Sequence, residues 1–495
     1  MKRLYALTIS LFLSLGLITA QNETDALRYT QLFPMGTARN MSMGGAFGAF
    51  GGDFSTLSIN PAGIGVYRSS EFTITPAMNY SPTETMYLGS GTEDLRSNFF
   101  LGNAAYVYSK LTGKDKGIVS VNFGVGYNRQ NDFNSNILIS GRNNSNSMMD
   151  YFAYMAHGNT LNELSDFEEG LAWDAYLIDE KIGDPLNYET VLSDYGQENS
   201  STYGQLQRRE IRTEGGMGEY VFSLGTNFSN ILYMGGTFGI NNIRYDQKMF
   251  HFESDTDGSI PQFKSFNFNE YLNVDGIGYS FKMGFLLKPI QMIRVGGAVH
   301  FPFNYRMRET YYTYIESGFD TPRSDGFTEY DFSSPTSRYD YRISTPLKLI
   351  GNAGVQIFKV ALLSADIEYI DYSSIRMHRG GDGYDFYDEN MSIEEAYKSV
   401  LNYKAGVEFR VSAFSLRAGA AYYESPYRET EANKDAYVYS YSGGFGFRDN
   451  NFFVDFAYVY TDRQKLYYMY PYSDVEPSIN SLNRHTILAT LGMKF

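Results

Sequence analysis

Eight charged side chains sit at alternate positions of otherwise apolar runs: Arg294, Asp366, Glu368, Lys404, Glu408, Arg410, Arg417 and Asp455. Both signs are present. If each run is a strand, alternate residues share a face, and these charges meet on one wall. Charges kept from bulk water are stable only when paired, so the first expectation is an ion-pair and hydrogen-bond network. The further chemistry on offer is charge-assisted holding of a carboxylate by a guanidinium. Arg410, Arg417 and Arg294 are the candidates for that role.

Other chemistries find little support. Five histidines are scattered, and no pair has the i, i+4 spacing of a helical metal site. Asp255-Thr256-Asp257-Gly258 and the set Asp382, Asp385, Asp388 and Glu389 lack the full calcium-loop spacing. They read as solvated loop acids. No nucleophile elbow or credible triad emerges. There is no cysteine, which removes disulfides and thiolate metal sites. A net charge of -15 argues against a nucleic-acid partner, which needs a basic patch. The expectation is a protein that is not an enzyme, with no catalytic residue, no metal and no cofactor.

The runs that carry the charges have period two. Tyr403, Ala405, Val407 and Phe409 alternate with Lys404, Glu408 and Arg410. Leu416, Ala418, Ala420 and Tyr422 face away from Arg417, and Phe452, Val454, Phe456, Tyr458 and Tyr460 face away from Asp455. In a membrane barrel the apolar face meets lipid and the polar face lines the lumen. No run of about 20 apolar residues follows the N-terminus, which excludes a helical membrane bundle. Short links fall near Ser109–Lys116, Ser229-Asn230, Lys288–Gln291, Phe358-Lys359, Val411–Ala413 and Asp449-Asn450. Long links fall near 81–95, 129–215, 254–263, 317–328, 375–400, 424–435 and 461–483. Tight turns on one side and large loops on the other mark outer-membrane barrels, with the turns in the periplasm. The predicted fold class is all-β: a transmembrane antiparallel β-barrel of about fourteen strands over residues 71–495. Its last strand ends on Phe495, an aromatic terminus of the kind read by the outer-membrane assembly machinery.

Residues 129–215 stand apart as a large, acidic extracellular loop. They predict short helices around Met148–Met155, Leu161–Glu169 and Leu171–Ile178. The apolar members, Phe152, Met155, Trp173 and Tyr176 among them, have helical spacing. Two roles are open to them: packing the loop onto the rim, or forming a groove that first collects a ligand.

Residues 1–20 read as a secretory signal. Lys2 and Arg3 precede the apolar stretch Leu4 to Ile18, and cleavage is expected after Ala20. Residues 21–70 show no alternation but are dense in glycine, ending in Asn60-Pro61-Ala62-Gly63-Ile64-Gly65. Asn-Pro favours a turn. The glycines lack the Lys-Ser/Thr ending of a phosphate loop. A compact glycine-rich segment ahead of a barrel has an obvious place, the lumen, where it would act as a hatch or plug.

The run GTARNMSMGGAFGAFGGDFSTLSINPAGIGV resembles the N-terminal hatch of the FadL family of outer-membrane transporters, with Asn60, Pro61, Ala62 and Gly63 as its hatch motif. The later runs STPLKLIGNAGVQIF, LLSADIEYIDYSSI, YKAGVEFR, SLRAGAAYYESPY and YSGGFGFRDNNFFVDFAYVY resemble that family's C-terminal strands in order. The resemblance implies residence in the bacterial outer membrane and passive uptake of hydrophobic small molecules, such as long-chain fatty acids or aromatic compounds. It implies capture among the extracellular loops, a lumen site, and hatch-gated release sideways to outer-membrane lipid. Two rival roles go with such barrels. One is a non-transport scaffold that docks secretion or lipid-handling machinery. The other is a haem-binding receptor, for which His157 is the axial-ligand candidate. The acidic 129–215 insertion departs from the better-known members and puts the ligand class in doubt.

Overall fold

Period-two patterning closes here into a single cylinder. The computed structural model of the chain describes residues 22–193, 202–358, 360–381 and 383–495. The signal sequence expected over residues 1–20 and its expected cleavage after Ala20 lie outside the described residues, as do Lys359 and Asp382. Among the described residues, fourteen antiparallel strands form the barrel. The first five are β1 (Glu71–Tyr87), β2 (Ser90–Leu111), β3 (Ile118–Asp132, resumed as Ser135–Asn143), β4 (Gln205–Phe228) and β5 (Leu232–Ser254). Next come β6 (Phe263–Leu287), β7 (Ile293–His300 and Asn304–Phe319) and β8 (Glu329–Ser333, Ser337–Ser344 and Lys348–Ile357). Then follow β9 (Ala361–Asp371 and Arg376–His378), β10 (Ser399–Val411) and β11 (Phe414–Tyr423). The last are β12 (Val438–Arg448), β13 (Phe452–Tyr467) and β14 (Ser478–Leu482 and Arg484–Lys494). β1 pairs with β2 on one side and β14 on the other, from Glu71 opposite Lys494 to Tyr80 opposite His485.

The side-chain alternation sorts residues by solvent. In β6, Phe281, Met283 and Phe285 are exposed to the bilayer while Lys282 and Leu286 are buried. No helix among the described residues is long and apolar enough to cross a membrane; the strands do the crossing. Several run well beyond it. β6 has 25 residues, against the 9–11 or so that a tilted membrane strand needs. At one end the turns are tight, as at Ser229 and Asn230, both left-handed with φ of 56°. Phe495 lies at this end, where it exchanges two backbone hydrogen bonds of 3.1 Å with Ser70. Its exposed ring stacks on Tyr106.

Three sequence expectations need correction. The long link at 81–95 is strand: β1 and β2 stay paired to Tyr87 opposite Ser90, and the turn is only Leu88-Gly89. The 129–215 loop is shorter than expected, because β3 and β4 continue as a ladder up to Asn143 opposite Gln205. In both places the strands have left the bilayer, so neither face needs to be apolar and the period-two signal fades. The helix expected at Leu171–Ile178 runs instead from Glu169 to Asp174, and Ile178 opens a small hairpin, Ile178–Lys181 with Asp184–Thr190.

Candidate functional site

Residues 22–66 fold inside the cylinder as short helices held by their caps. α1 (Glu23–Arg28) starts at Asn22 and α2 (Ala38–Ser42) at Thr37, and each cap side chain accepts a backbone N–H. Asp53 and Asn60 do the same for two single-turn helices, Phe54–Ser58 and Pro61–Val66. Such caps satisfy donors that a helix start leaves free. Pro61 sits at the first helical position, where its missing N–H is no loss.

The wall opposite this hatch is made largely of inward-facing glycine. A Cβ at Gly235 would strike the Pro61 carbonyl oxygen, and one at Gly284 would strike Asn60 Oδ1. Across the lumen, Cβ atoms at Gly406 and Gly419 would strike the backbone at Met43 and Gly44. Gly44 itself has φ of 67° and no room for a side chain, with the Ala420 oxygen 2.7 Å from where a Cβ would be. Backbone therefore lies on backbone around the ring.

Charges complete the seat. Glu408 is fully buried and accepts from Arg39 Nε at 2.9 Å, Arg417 Nε at 2.5 Å and Arg410 Nε at 2.6 Å. Arg417 Nη1 also donates to Asp455 Oδ1 at 2.6 Å. Arg294 donates to the Phe50 carbonyl oxygen at 2.8 Å and covers the Phe50 ring. Asn60 Nδ2 donates to Asn352 Oδ1 at 2.9 Å and to the Phe285 oxygen at 3.2 Å. Pro61, Ala62 and Gly63 are buried beside it. Arg410, Arg417 and Arg294 thus all meet at the hatch or its supports, and none of them lines the cavity above it. A second cluster escaped the sequence reading: Glu219 accepts from Lys282 at 2.6 and 2.7 Å and from Ser58 Oγ at 2.6 Å. Lys282 between Phe281 and Met283 was a legible signal for an inward charge.

The wall is incomplete beside the hatch. The β2–β3 ladder stops at Asn103 opposite Asn128, and above it β2 pairs with β1 alone. β3 bends away through Phe133 and Asn134. The backbone edge this exposes is taken by the hatch: Phe33 N donates to Gln130 O at 3.1 Å and Met35 N to Arg129 O at 2.9 Å. Asn98 of β2 bridges the gap by donating to Asp132 at 3.2 Å, and Arg129, on the same strand as Asp132, donates to that carboxylate at 2.9 Å.

A cavity of about 400 Å³ lies between this seam, the hatch and β12–β14. Leu27, Phe33, Met35, Ile137, Val459 and Leu482 give it apolar surface. Arg463, Lys465 and Arg484 bring three cations to the same space. Among the described residues Arg463 and Lys465 make no ion pair, and Arg463 Nε is buried without a partner. Arg484 donates to the Asp132 carbonyl oxygen at 3.3 Å. The sequence reading missed all three: the upper part of β13 has charges on both faces, and Arg484 of β14 opens a segment that the sequence places at the end of a long link.

The outer end is closed by a cap of α3 (Met148–Ala156), α4 (Glu169–Asp174) and the hairpin. Phe152 is wholly buried and edge-on to Phe268 at 5.2 Å. Met155, Trp173 and Tyr176 are half-buried against the same apolar cluster. These residues pack the cap onto the strand tops. His157 ends α3; its Nδ1 accepts from the Tyr188 amide at 3.1 Å, and partial burial lowers its pKa. Burial pushes Glu168 up to about 7, with the neighbouring Glu270 adding to the effect, and Asp150 up to about 6. Such acids bind more protons in the folded state than in the unfolded one, so stability falls as pH rises between the two values. The cap is expected to loosen between roughly pH 4 and pH 7 and to change little above that. Amide hydrogen exchange over residues 144–193, corrected for intrinsic rates, checks this. Glu168→Gln should flatten much of the slope, and protection that rises with pH would contradict it.

The geometry has counterparts among known proteins. A Pseudomonas aeruginosa FadL homologue superposes with a TM-score of 0.56 at 12% identity, covering 94% of this chain and 100% of that one. The Pseudomonas putida toluene transporter TodX gives 0.51 at 12% identity, covering 93% and 98%. The Ralstonia pickettii toluene transporter TbuX gives 0.50 at 13%, covering 93% and 98%. At such identities the likeness is one of fold. No curated protein sequence matches the chain. Residues 230–470 match the family described as outer membrane protein transport protein (OMPP1/FadL/TodX). That match runs from β5 through β13, on a fourteen-stranded cylinder of the same fold, and marks this part of the chain as similar to the FadL/TodX family of bacterial outer-membrane transport proteins.

Proposed function

We propose that this protein carries hydrophobic small molecules passively across the outer membrane, and that it suits those ending in an acid group, such as long-chain fatty acids. The observation that carries this reading is the cavity, where apolar side chains stand beside Arg463 and Lys465, which have no carboxylate in ion-pair contact among the described residues. A ligand carboxylate would supply the missing charge, and an alkyl chain would cover Phe33 and Met35. Those two residues belong to the hatch segment that pairs with the β3 edge. A ligand in the cavity would therefore compete with the segment that closes the seam, and release would go sideways between β2 and β3. The cap would make first contact from outside. Signal cleavage after Ala20 and recognition of Phe495 by the assembly machinery belong to the same reading.

The test compares oleate with its methyl ester on the purified barrel. Arg463→Leu/Lys465→Leu should weaken oleate binding at least tenfold, since hydrogen bonds to charged groups contribute about 1.5–3 kcal/mol each. Ester binding should stay within about twofold of wild type. Equal losses for both ligands, or none for either, would remove the acid from the proposal. An aromatic hydrocarbon that binds while oleate does not would move the ligand class to uncharged aromatics.

A further inference from the structure

The outer face of the barrel turns cationic above its apolar band on three adjacent strands. Ascending β7, exposed Ile293, Val295 and Phe301 give way to exposed Arg306 and Arg308. Ascending β8, Ile357, Val355, Leu349 and Leu347 give way to Arg342 and Arg338. Arg306 lies directly opposite Arg342, and Arg342 directly opposite His378 on β9, with Arg379 next in the chain. On β6 the residue opposite Arg306 is Ile277, and exposed Asp275 follows it upward. The row therefore marks the upper edge of the lipid-facing surface.

Like charges placed opposite each other on neighbouring strands are unfavourable unless something neutralises them. Arg308 has Asp340 at 3.1 Å and Arg376 has Glu394 at 3.2 Å. Among the described residues Arg306 and Arg342 have no carboxylate partner, and Arg342 Nη2 reaches only the Arg379 carbonyl oxygen at 3.4 Å. His378 meets Ser344 Oγ at 2.7 Å. The chain as a whole carries a net charge of -15, so two facing arginines without carboxylate partners are no consequence of composition.

A second feature lies just beneath. Both strands break there, side by side, at Phe301-Pro302-Phe303 and Thr345-Pro346-Leu347. His300 opposite Lys348 is the last pair below the break, and Asn304 opposite Ser344 the first above it. Phe301, Pro302 and Leu347 are exposed at this interruption, and Phe281 stacks on Phe301 at 5.9 Å. Two cations without acids thus stand immediately above an exposed apolar discontinuity in the wall, at the height where headgroups meet acyl chains.

We propose that Arg306 and Arg342, with Arg379 beside them, hold a phosphate group of an outer-leaflet lipid whose acyl chains lie along Phe301 and Leu347. This rests on the outer-membrane placement with the loops outward, but not on what the lumen carries. Two guanidiniums suit a phosphate oxygen set better than an uncharged headgroup.

The experiment titrates the purified barrel in detergent with bisphosphorylated lipid A, read by native mass spectrometry. Wild type is expected to retain one lipid. Arg306→Ser/Arg342→Ser should bind it roughly 30-fold more weakly, as the loss of two cations near a membrane surface implies. Arg306→Lys/Arg342→Lys should keep most of the binding. Arg208→Ser/Arg212→Ser, which removes two exposed cations of β4, should leave it unchanged. Lipid A stripped of phosphate should not bind to wild type above background. Heat-modifiable migration on gels reports that each variant is folded. Undiminished retention by the serine pair, equal binding of the dephosphorylated lipid, or no binding to wild type would each overturn the proposal.

Discussion

Gly235→Val is expected to unseat the hatch and leave the barrel closed but leaking. Its Cβ would come within 2.2 Å of the Pro61 carbonyl oxygen. That atom belongs to a backbone capped by Asn60 and held by Asn352 and Phe285, so it cannot swing aside as a side chain could. The strand ladder survives, because Gly235 keeps its pairing with Gly225 and Gly284 whatever its side chain. Small-solute conductance in planar bilayers should rise by an order of magnitude or more, since an unplugged barrel of this width leaves an aqueous path. Gly236→Val is the control: its Cβ points the other way and meets nothing nearer than the Lys282 oxygen at 3.8 Å. Equal conductance in both variants, with hatch amides still protected from exchange, would show that the glycine contacts do not hold the plug.

Glu408→Leu should have the largest effect on stability. The carboxylate is wholly buried and serves Arg39, Arg417 and Arg410 at once. Removing it strands the buried Arg39 guanidinium and leaves Arg417 with Asp455 alone, and breaking a buried pair by deleting one partner costs about 3–5 kcal/mol. The midpoint of guanidinium unfolding in lipid vesicles should fall accordingly. Adding Arg39→Leu should recover part of the loss, because the double variant no longer buries that uncompensated charge. The hatch should then be looser than in wild type while the cylinder is nearly as stable. A fall below about 1 kcal/mol for the single variant would mean that water reaches the cluster and supports the charges.

Much of the barrel was legible because lipid and lumen impose opposite demands on neighbouring residues. Phe409 beside Glu408, or Leu416 beside Arg417, can be read only as two faces of a strand, and the tight turns around Ser229 and Asp449 bound such runs. The alternation fails where those demands stop. Ser81, Thr83 and Thr85 of β1 face the lumen above the bilayer, where the other side meets water too, so a ladder there looks like a loop. The same applies to Arg463 and Lys465, whose neighbours Asp462 and Gln464 are no less polar. Inward charges low in the barrel could therefore be anticipated, and the cavity's cations could not.

The glycines of residues 36–66 suggested a plug from their density alone, yet nothing in one sequence says what each is for. Gly44 is needed because its backbone has a positive φ and lies against Gly419, which is 375 positions away along the chain. Arg39 finds Glu408 across a similar separation. Local composition determined a glycine-rich segment and about fourteen two-faced strands, because turns and face alternation are properties of neighbours in the chain. Only the closed cylinder decided which glycines meet, which arginines are used up by the hatch, where β2 leaves β3, and which cations remain without acids. Those outcomes depend on the register and curvature of the whole sheet, which bring distant residues within bonding distance only after closure.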